Sequence, residues 1–576
     1  MTSGFPSALP RFLLALSLLA PGLTLALPSF QEVRAAYRPS EARLLARDGR
    51  PLQDLRVDMS VRRLAWTRLA DISPALLRAV VASEDKHFFE HGGVDWRAAG
   101  SAAWSNLLGG RTRGASTLTM QLAGLLDEDA RRRGRRSLFE KLSQTAAALR
   151  LERSWSKRQI LEAYLNLVPF RGELQGAPAM SRGLFGKWPD GLTEQESALA
   201  AALLRSPGAT PALAAKRACG VLKDMERESE CAGLDALAAV ALGGGQRAGS
   251  QGEGGPALAP HLARKLLSEP GQQLRSTLDA DLQAFAGEAL GRHLAALAKQ
   301  NAEDGAVLVV DNASGEVLAW VGSSGALSDA AEVDGAIALR QPGSTLKPFL
   351  YALAFERRAM TPASLIEDAP LRLDTGNGLY TPQDYEPDYQ GWVSARSALA
   401  GSLNVPAVKT LVRLGPDAFQ QRLKALGFLS LKESGDYYGY SLALGSADVS
   451  LLMLANAYRS LANGGRWSPL RVTADGAAVP CREGGCEGVF AGPVHWAIQP
   501  GAAFLVGDIL ADADARAGTF GLDSWLATPY WAAAKTGTSK DMRDNWCAGF
   551  SARYTVAVWV GNAEGSPMHD VSGVAG

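Results

Sequence analysis

The stretch QPGSTLKPF, Gln341–Phe349, answered far along the chain by KTGTS, Lys535–Ser539, decides how this sequence is read. Ser344 and Lys347 stand three residues apart, a spacing that on a helix sets both side chains on one face. A serine hydroxyl is a weak nucleophile and needs a neighbour to take its proton before it can attack a carbonyl. The second stretch adds another lysine, Lys535, next to Thr536, to Gly537 with no β-carbon, and to Thr538. Between the two lies S-x-N, with Ser402 and Asn404. Alone, S-x-x-K usually marks a solvated helix face, and Ser402 with Asn404 would read as a turn or cap. Together and in this order they describe a serine acyl-transfer site.

A chain of 576 residues predicts two or three domains. Lys plus Arg and Asp plus Glu both total 59, which excludes the overall basic field of a nucleic-acid binder. Charge matters locally: Arg131–Arg136 is a basic cluster that reads equally as a solvated loop or as a contact for anionic lipid headgroups. Residues 1–30 hold Arg11 and then the apolar run Phe12–Leu27, broken by Pro21 and Gly22. A spanning helix needs about 17–25 apolar residues, so the run sits at the lower edge. LTLALPSF is a poor small-x-small cleavage site, which favours an uncleaved export anchor over a cleaved leader; either way the remainder is exported. Cysteines 219 and 231, and 481 and 486, form two local groups, with Cys547 alone; two local disulfides suit an oxidising compartment, although connectivity is not readable. No His or Cys spacing suggests a structural metal.

After a connecting segment, 31–70, residues 71–210 read as helical. ISPALLRAVVASEDKHFF, SLFEKLSQTAAALRLERSW and SKRQILEAYLNLV carry apolar residues at helical spacing, and Ser73 before Pro74 and Ser156 are helix starts. The Ala/Gly-rich stretch 211–275, with GGGQRAGSQGEGGP, reads as a linker. From 276 the period changes. GAVLVVDNASGEVLAWVGS is a hairpin with its turn at Asn312, Ser314 and Gly315, and strands return at Trp531–Ala534, Trp546–Phe550 and Thr555–Val560. A helical domain followed by an α+β domain is expected.

The set S-x-x-K, S-x-N and K-T-G, with STLDADLQ at Ser276–Gln283, resembles the transpeptidase domain of class A penicillin-binding proteins. That resemblance implies an antiparallel sheet flanked by helices, a domain over 276–576, and covalent binding of β-lactams. It makes Ser344 the nucleophile on a D-Ala–D-Ala carbonyl and Lys347 its proton acceptor. Ser402 would relay a proton, Asn404 would hold the substrate amide, and Lys535 with Thr536 or Thr538 would anchor the substrate carboxylate. Gly537, on a strand edge, would let a peptide lie close to the backbone. Upstream, EDKHFFEHGGVD (Glu84–Asp95), GASTLTMQLA (Gly114–Ala123), EAYLNLVPFRG (Glu162–Gly172) and LLRSP (Leu203–Pro207) resemble the peptidoglycan glycosyltransferase domain, an all-α lysozyme-like fold that polymerises lipid II. Glu84 falls at the family's base position, with Asp85 beside it. Lys141 is placed to meet pyrophosphate, and Ser116, Thr117, Gln121 and Asn166 are placed to contact substrate.

Two departures stand out. Counting back from Leu151–Glu152, the position of the family's second glutamate holds Gln144, with Glu140 one turn earlier; the MQLA and VPF wording points to the family's C-type branch. The sequence also stops at Gly576, where related domains continue into a helix on the sheet; either the chain is truncated or an uncovered sheet face is managed otherwise. The resemblance implies a bifunctional synthase anchored by one pass in the bacterial inner membrane, its catalytic domains in the periplasm. Its partners would be lipid II, nascent peptidoglycan and β-lactam inhibitors, with no nucleic acid. No organic cofactor is implied, and a divalent cation at the polymerising site is left open. The competing readings are a serine carboxypeptidase or β-lactamase-like hydrolase, and a non-enzymatic β-lactam sensor or scaffold.

Overall fold

The computed structural model describes residues 27–98, 100, 116–127, 138–243, 257–375, 378–384, 388–476 and 484–574. It divides into two compact units, residues 1–40 with 59–248 and residues 41–58 with 249–576. The basic cluster Arg131–Arg136 and most of the apolar run Phe12–Leu27 lie outside the described residues. Among the described residues, no helix is long and apolar enough to cross a membrane.

Among its described residues the first unit is helical, with one short strand pair, Pro169–Arg171 against Leu174–Gln175. Helix α1 spans Pro74–Glu84; the Ser73 hydroxyl accepts the Ala75 N–H, and Pro74 sits at the first helical position, where its missing N–H leaves nothing unpaired. The helical text expected to run on through EDKHFF stops at Glu84, because Asp85 leaves helical geometry and spends its carboxylate elsewhere. Helices α2 (Leu118–Leu126), α3 (Leu138–Ser154) and α4 (Lys157–Leu167) follow, α4 opened by a capping box between Ser156 and Gln159. Helix α5, Glu194–Arg205, buries every residue from Glu196 to Leu203 and is the central helix of this unit.

The stretch 211–275, expected as a linker, is largely built into the two units. Helices α6 (Pro211–Asp224) and α7 (Leu234–Gly243) bury Ala214, Ala218, Leu222, Leu234 and Ala238 in the first core, and Cys219 is bonded to Cys231. Alanine-rich text of this kind loses little side-chain entropy in a helix, so it favours α-structure over a flexible tether. Cys486 is also disulfide-bonded, and Cys481 lies outside the described residues.

The second unit begins earlier in the chain than expected. Within the connecting segment, β1 (Glu41–Leu45) and β2 (Pro51–Arg56) form a hairpin, and β1 pairs in parallel with β3 (Gln273–Arg275). Ala42, Leu44 and Leu52 join the large core of this unit. Helix α8, Ala280–Ala296, is capped by Asp279, which accepts from the N–H groups of Asp281 and Leu282. The main sheet is antiparallel and five-stranded, in the order β8 (Ala533–Thr538), β9 (Asp544–Phe550), β10 (Tyr554–Gly561), β4 (Asp304–Asp311) and β5 (Val317–Val321). Along β4, Val307 and Val309 pack toward α8, while Ala306, Leu308 and Val310 join the opposite core. On that opposite side lie α9 (Lys347–Glu356), α10 (Asn404–Leu414), α11 (Leu451–Ala462) and α12 (Pro500–Ala511). On the α8 side, Leu282, Phe285, Val309, Tyr554, Val556 and Val558 line a groove of about 960 Å³.

The Cys219–Cys231 bond closes a short loop, and a closed loop of that size stabilises by about 3 kcal/mol in the chain-entropy account. Replacing both cysteines by alanine should lower the urea midpoint of the first unit by a matching amount and leave the second unit's transition in place. An unchanged first transition would show that α6 and α7 hold without the bond.

Candidate active sites

The serine cluster is assembled by three pieces of the second unit. Ser344 sits in a one-turn 3₁₀ segment, Gly343–Leu346, that runs into α9. The turn is pinned from several sides. Thr345 Oγ1 donates to Pro342 O at 2.8 Å, Tyr458 OH donates to Thr345 O at 2.9 Å, and Trp546 Nε1 donates to Gln341 O at 2.9 Å. Gly343 has φ +57°, and a β-carbon there would lie 2.6 Å from Thr538 O. A β-carbon on Gly537 would lie 2.4 Å from Pro342 O. Glycine at 537 is therefore required by the close approach of the protein's own serine turn to edge strand β8.

Lys347 opens a helix in which every residue through Phe355 is buried, and its side chain is fully enclosed. Its Nζ donates to Ser402 O at 2.7 Å and to Asn404 Oδ1 at 2.6 Å. From the other side, Lys535 Nζ donates to Ser402 Oγ at 2.7 Å and to Thr536 O at 3.0 Å. Ser402 thus joins the two lysines, one through its carbonyl and one through its hydroxyl, and it does so at φ +63°, a left-handed conformation costly for a non-glycine residue. Thr536 is buried on strand β8, and Thr538 Oγ1 accepts from Gly573 N at 2.9 Å, which leaves its own O–H free to donate.

Burial dominates the electrostatics. It drives the Lys347 amine well below the usual lysine range; the Lys535 charge pushes the same way, and Asp384 opposes both. Burial also brings Lys535 down to about 7, against the opposing influence of Cys547 on the neighbouring strand.

In the first unit the carboxylate cluster centres on Glu84, at the C-terminal end of α1. Its Oε1 accepts from Ser83 Oγ at 3.0 Å and from Arg205 Nε at 3.2 Å, and its Oε2 accepts from Gln121 Nε2 at 3.0 Å. Gln121 in turn accepts from the buried Tyr164 hydroxyl at 2.9 Å, and burial together with the Glu84 charge holds that phenol above its usual range.

The other residues expected at this site divide. Ser116 is exposed just ahead of α2. Thr117 is buried as the α2 cap, accepting from Met120 N and donating to Gly93 O. Asp85 accepts from Leu118 N at 3.0 Å at the start of α2 and meets His91 Nε2 at 3.0 Å. Asn166 is enclosed and ties Thr67 through both its backbone N–H and its carbonyl. Gln144 on α3 packs against α2, its Nε2 lying 3.0 Å from where a β-carbon on Gly124 would stand, one turn beyond Gln121. Lys141 belongs to α3, with its side chain outside the described residues. Tyr164 and Arg205 were given no role from sequence, although both lie inside quoted motifs. Among the described residues, no group of three or more His, Cys, Asp or Glu side chains is arranged to hold a metal ion.

The depressed Lys535 value has a consequence for stability. An unfolded lysine keeps its proton to about pH 10.4, so between about 7 and 10.4 the unfolded chain binds more protons and stability rises with pH. The contribution is complete above the upper value and lost as pH falls through the lower one. The second unit should therefore melt at a higher temperature at pH 9 than at pH 7, and Lys535→Met should flatten the trend. An equal slope in the variant would show that Lys535 titrates as an ordinary lysine.

Comparison with known proteins fits both clusters. The Transglycosylase family matches residues 48–226, and the family described as Penicillin binding protein transpeptidase domain matches residues 305–570. Penicillin-binding protein 1C of Escherichia coli (strain K12) is 34% identical across 91% of this chain, which spans 65% of that protein's length. Penicillin-binding protein 1F of Bacillus subtilis (strain 168) is 30% identical across 85% of this chain and 70% of its own. The crystal structure of Penicillin-Binding Protein 1A from Haemophilus influenzae shares the fold, with a TM-score of 0.58 at 18% identity over 94% of this chain and 91% of that one. With a transglycosylase and a transpeptidase domain in one chain and such relatives alongside, the protein belongs to the class A penicillin-binding proteins.

Proposed function

We propose that the chain is a bifunctional peptidoglycan synthase, which polymerises lipid II in its first unit and cross-links stem peptides in its second. The observation that carries the second activity is the fully buried Lys347 amine, whose two hydrogen bonds both run to carbonyl oxygens. A neutral amine has two N–H groups to give them and one lone pair left over. That lone pair takes the Ser344 proton as Ser344 Oγ attacks the penultimate D-Ala carbonyl. The backbone N–H groups of Ser344 and Thr538 receive the oxyanion, a contribution of about 3–4 kcal/mol per donor. The C–N bond to the terminal D-Ala breaks, and the leaving amine collects a proton through Ser402, which Lys535 holds in place. An acceptor amine on a second stem peptide then attacks the ester and releases Ser344. A β-lactam enters by the same first step and stays attached.

In the first unit, Glu84 is the base that removes the proton of the acceptor sugar 4-hydroxyl. That oxygen attacks the anomeric carbon of the growing strand, and the lipid pyrophosphate departs with its electron pair. Arg205 and Gln121 hold the Glu84 carboxyl in position by hydrogen bonds. Ser116 and Lys141 are read as contacts for substrate and pyrophosphate, and Gln144, at the α2–α3 contact, as a neutral hydrogen-bonding position. The apolar run Phe12–Leu27 is read as the membrane anchor, with both catalytic units on the periplasmic side.

Incubating the intact chain with labelled lipid II, and separately with a fluorescent penicillin, tests both assignments. Ser344→Ala should abolish covalent labelling and leave glycan polymerisation nearly intact; labelling that persists at another serine overturns the nucleophile. Glu84→Gln should cut polymerisation by about 10²–10⁴-fold with penicillin labelling unchanged, and a loss below about tenfold would show that Glu84 is not the base.

A further inference from the structure

Helix α10 begins without a cap of its own. The residue before it, Leu403, has no side-chain acceptor for the orphan N–H groups of the first turn. The acceptor arrives from elsewhere: Asp384 Oδ1 takes the N–H of Asn404 and, at 3.4 Å, that of Val405. One residue earlier, Gln383 O accepts from Asn404 Nδ2 at 2.8 Å. Asn404 is therefore gripped by its backbone and by its side-chain amide, and its remaining oxygen is turned onto Lys347 Nζ at 2.6 Å.

Behind Asp384 stands a second carboxyl, Asp368, at the end of strand β6 (Leu365–Asp368), which pairs with β7 (Gly391–Ser394). Asp368 is 1% exposed, and its Oδ2 accepts from Gln390 N at 2.8 Å. Asp368 Oδ1 and Asp384 Oδ2 are both buried, and neither meets a protein donor. The two carboxyl groups lie within hydrogen-bonding reach of one another. One proton held between these two oxygens satisfies both, the standard outcome for carboxylates that cannot both ionise at short range.

We propose that Asp384, backed by Asp368, is a positioning residue of the acyl-transfer site: it fixes Asn404 and places negative charge beside Lys347. This rests on the acyl-transfer reading of Ser344. Among the described residues, few charged or titratable groups face the pair. Lys347 and Tyr351 come from α9, Lys409 comes from α10 and is bonded to Glu367 of β6, and Lys535 stands beyond Lys347. Asp384 is the group that opposes burial and Lys535 in setting the Lys347 proton affinity. Burial and the Asp384 carboxyl lift Asp368 to about 6, so the shared proton is lost as pH rises through that value.

The test is the pH profile of acylation by a fluorescent penicillin. Asp384→Asn keeps an acceptor for the Asn404 N–H and removes the charge, so Lys347 stays neutral to lower pH. The acid limb should move down by about one pH unit. An acid limb that stays in place overturns the inference, because a purely structural cap would predict that result. Asp368→Asn can donate permanently to Asp384 Oδ2, so it should keep the wild-type limb and gain melting temperature over wild type as pH rises through about 6. A difference between Asp368→Asn and wild type that does not vary with pH also overturns the shared proton, and this readout stands if Asp384→Asn fails to fold. Wild-type protein that takes no label would fault the acyl-transfer reading itself, whereas labelled wild type with an unmoved Asp384→Asn limb faults only the role of Asp384.

Discussion

Ser402 joins two buried lysines, and the chemistry proposed for the second unit depends on that junction. Its carbonyl holds Lys347 and its hydroxyl holds Lys535, each at 2.7 Å, so three distant pieces of chain are fixed by one residue. Burial is the main reason both lysines are depressed, and for Lys347 the Lys535 charge adds to it, so neutral Lys347 is the favoured form. The backbone of Ser402 carries its own strain at φ +63°. Strain of this kind persists only where the surrounding structure over-determines it, and here Lys347, Lys535 and the Asn404–Asp384 clamp do so.

The fold supplies the dryness. Helix α9 is buried on every side, so a lysine at its first residue cannot reach water and must be neutral or paired. Edge strand β8 brings Lys535 and Gly537 against the serine turn, and glycines at 343 and 537 let the two backbones touch. In the first unit a hydrogen-bonded chain does the positioning. Arg205 and Gln121 both donate to Glu84, while Tyr164 holds Gln121 from the core.

Much of this was legible in the sequence. Periodicity found α1, α3 and α4, with the serine caps of α1 and α4, and the hairpin β4–β5 with its turn. Motif order pointed to Ser344, Lys347, Ser402, Asn404 and Lys535, and hydrogen bonds join the last four of these. What escaped was tertiary. Asp48–Gly49 is a hairpin signal, but nothing local says that β1 pairs with a strand beginning at Gln273. The alanine-rich stretch after 210 looked like a tether because its small side chains resemble linker text, yet those side chains pack in a core. Asp85, Thr117 and Asn166 stood in motifs beside Glu84, but their polar atoms are spent holding α2 and the loop at Thr67. Asp368 and Asp384 belong to no motif and became visible only when two buried oxygens were left without donors.

The protonation state of Lys347 tests the account most directly. A lysine ¹³Cε NMR titration of the second unit within the intact chain, with Lys347→Arg to assign the signal, reads it without relying on turnover. The account predicts that the Lys347 resonance reports a neutral amine at pH 7, with its midpoint far below the about 10.4 of an exposed lysine. A Lys347 resonance that titrates with the surface lysines would contradict it, and the junction at Ser402 would then be a structural bridge between two cations.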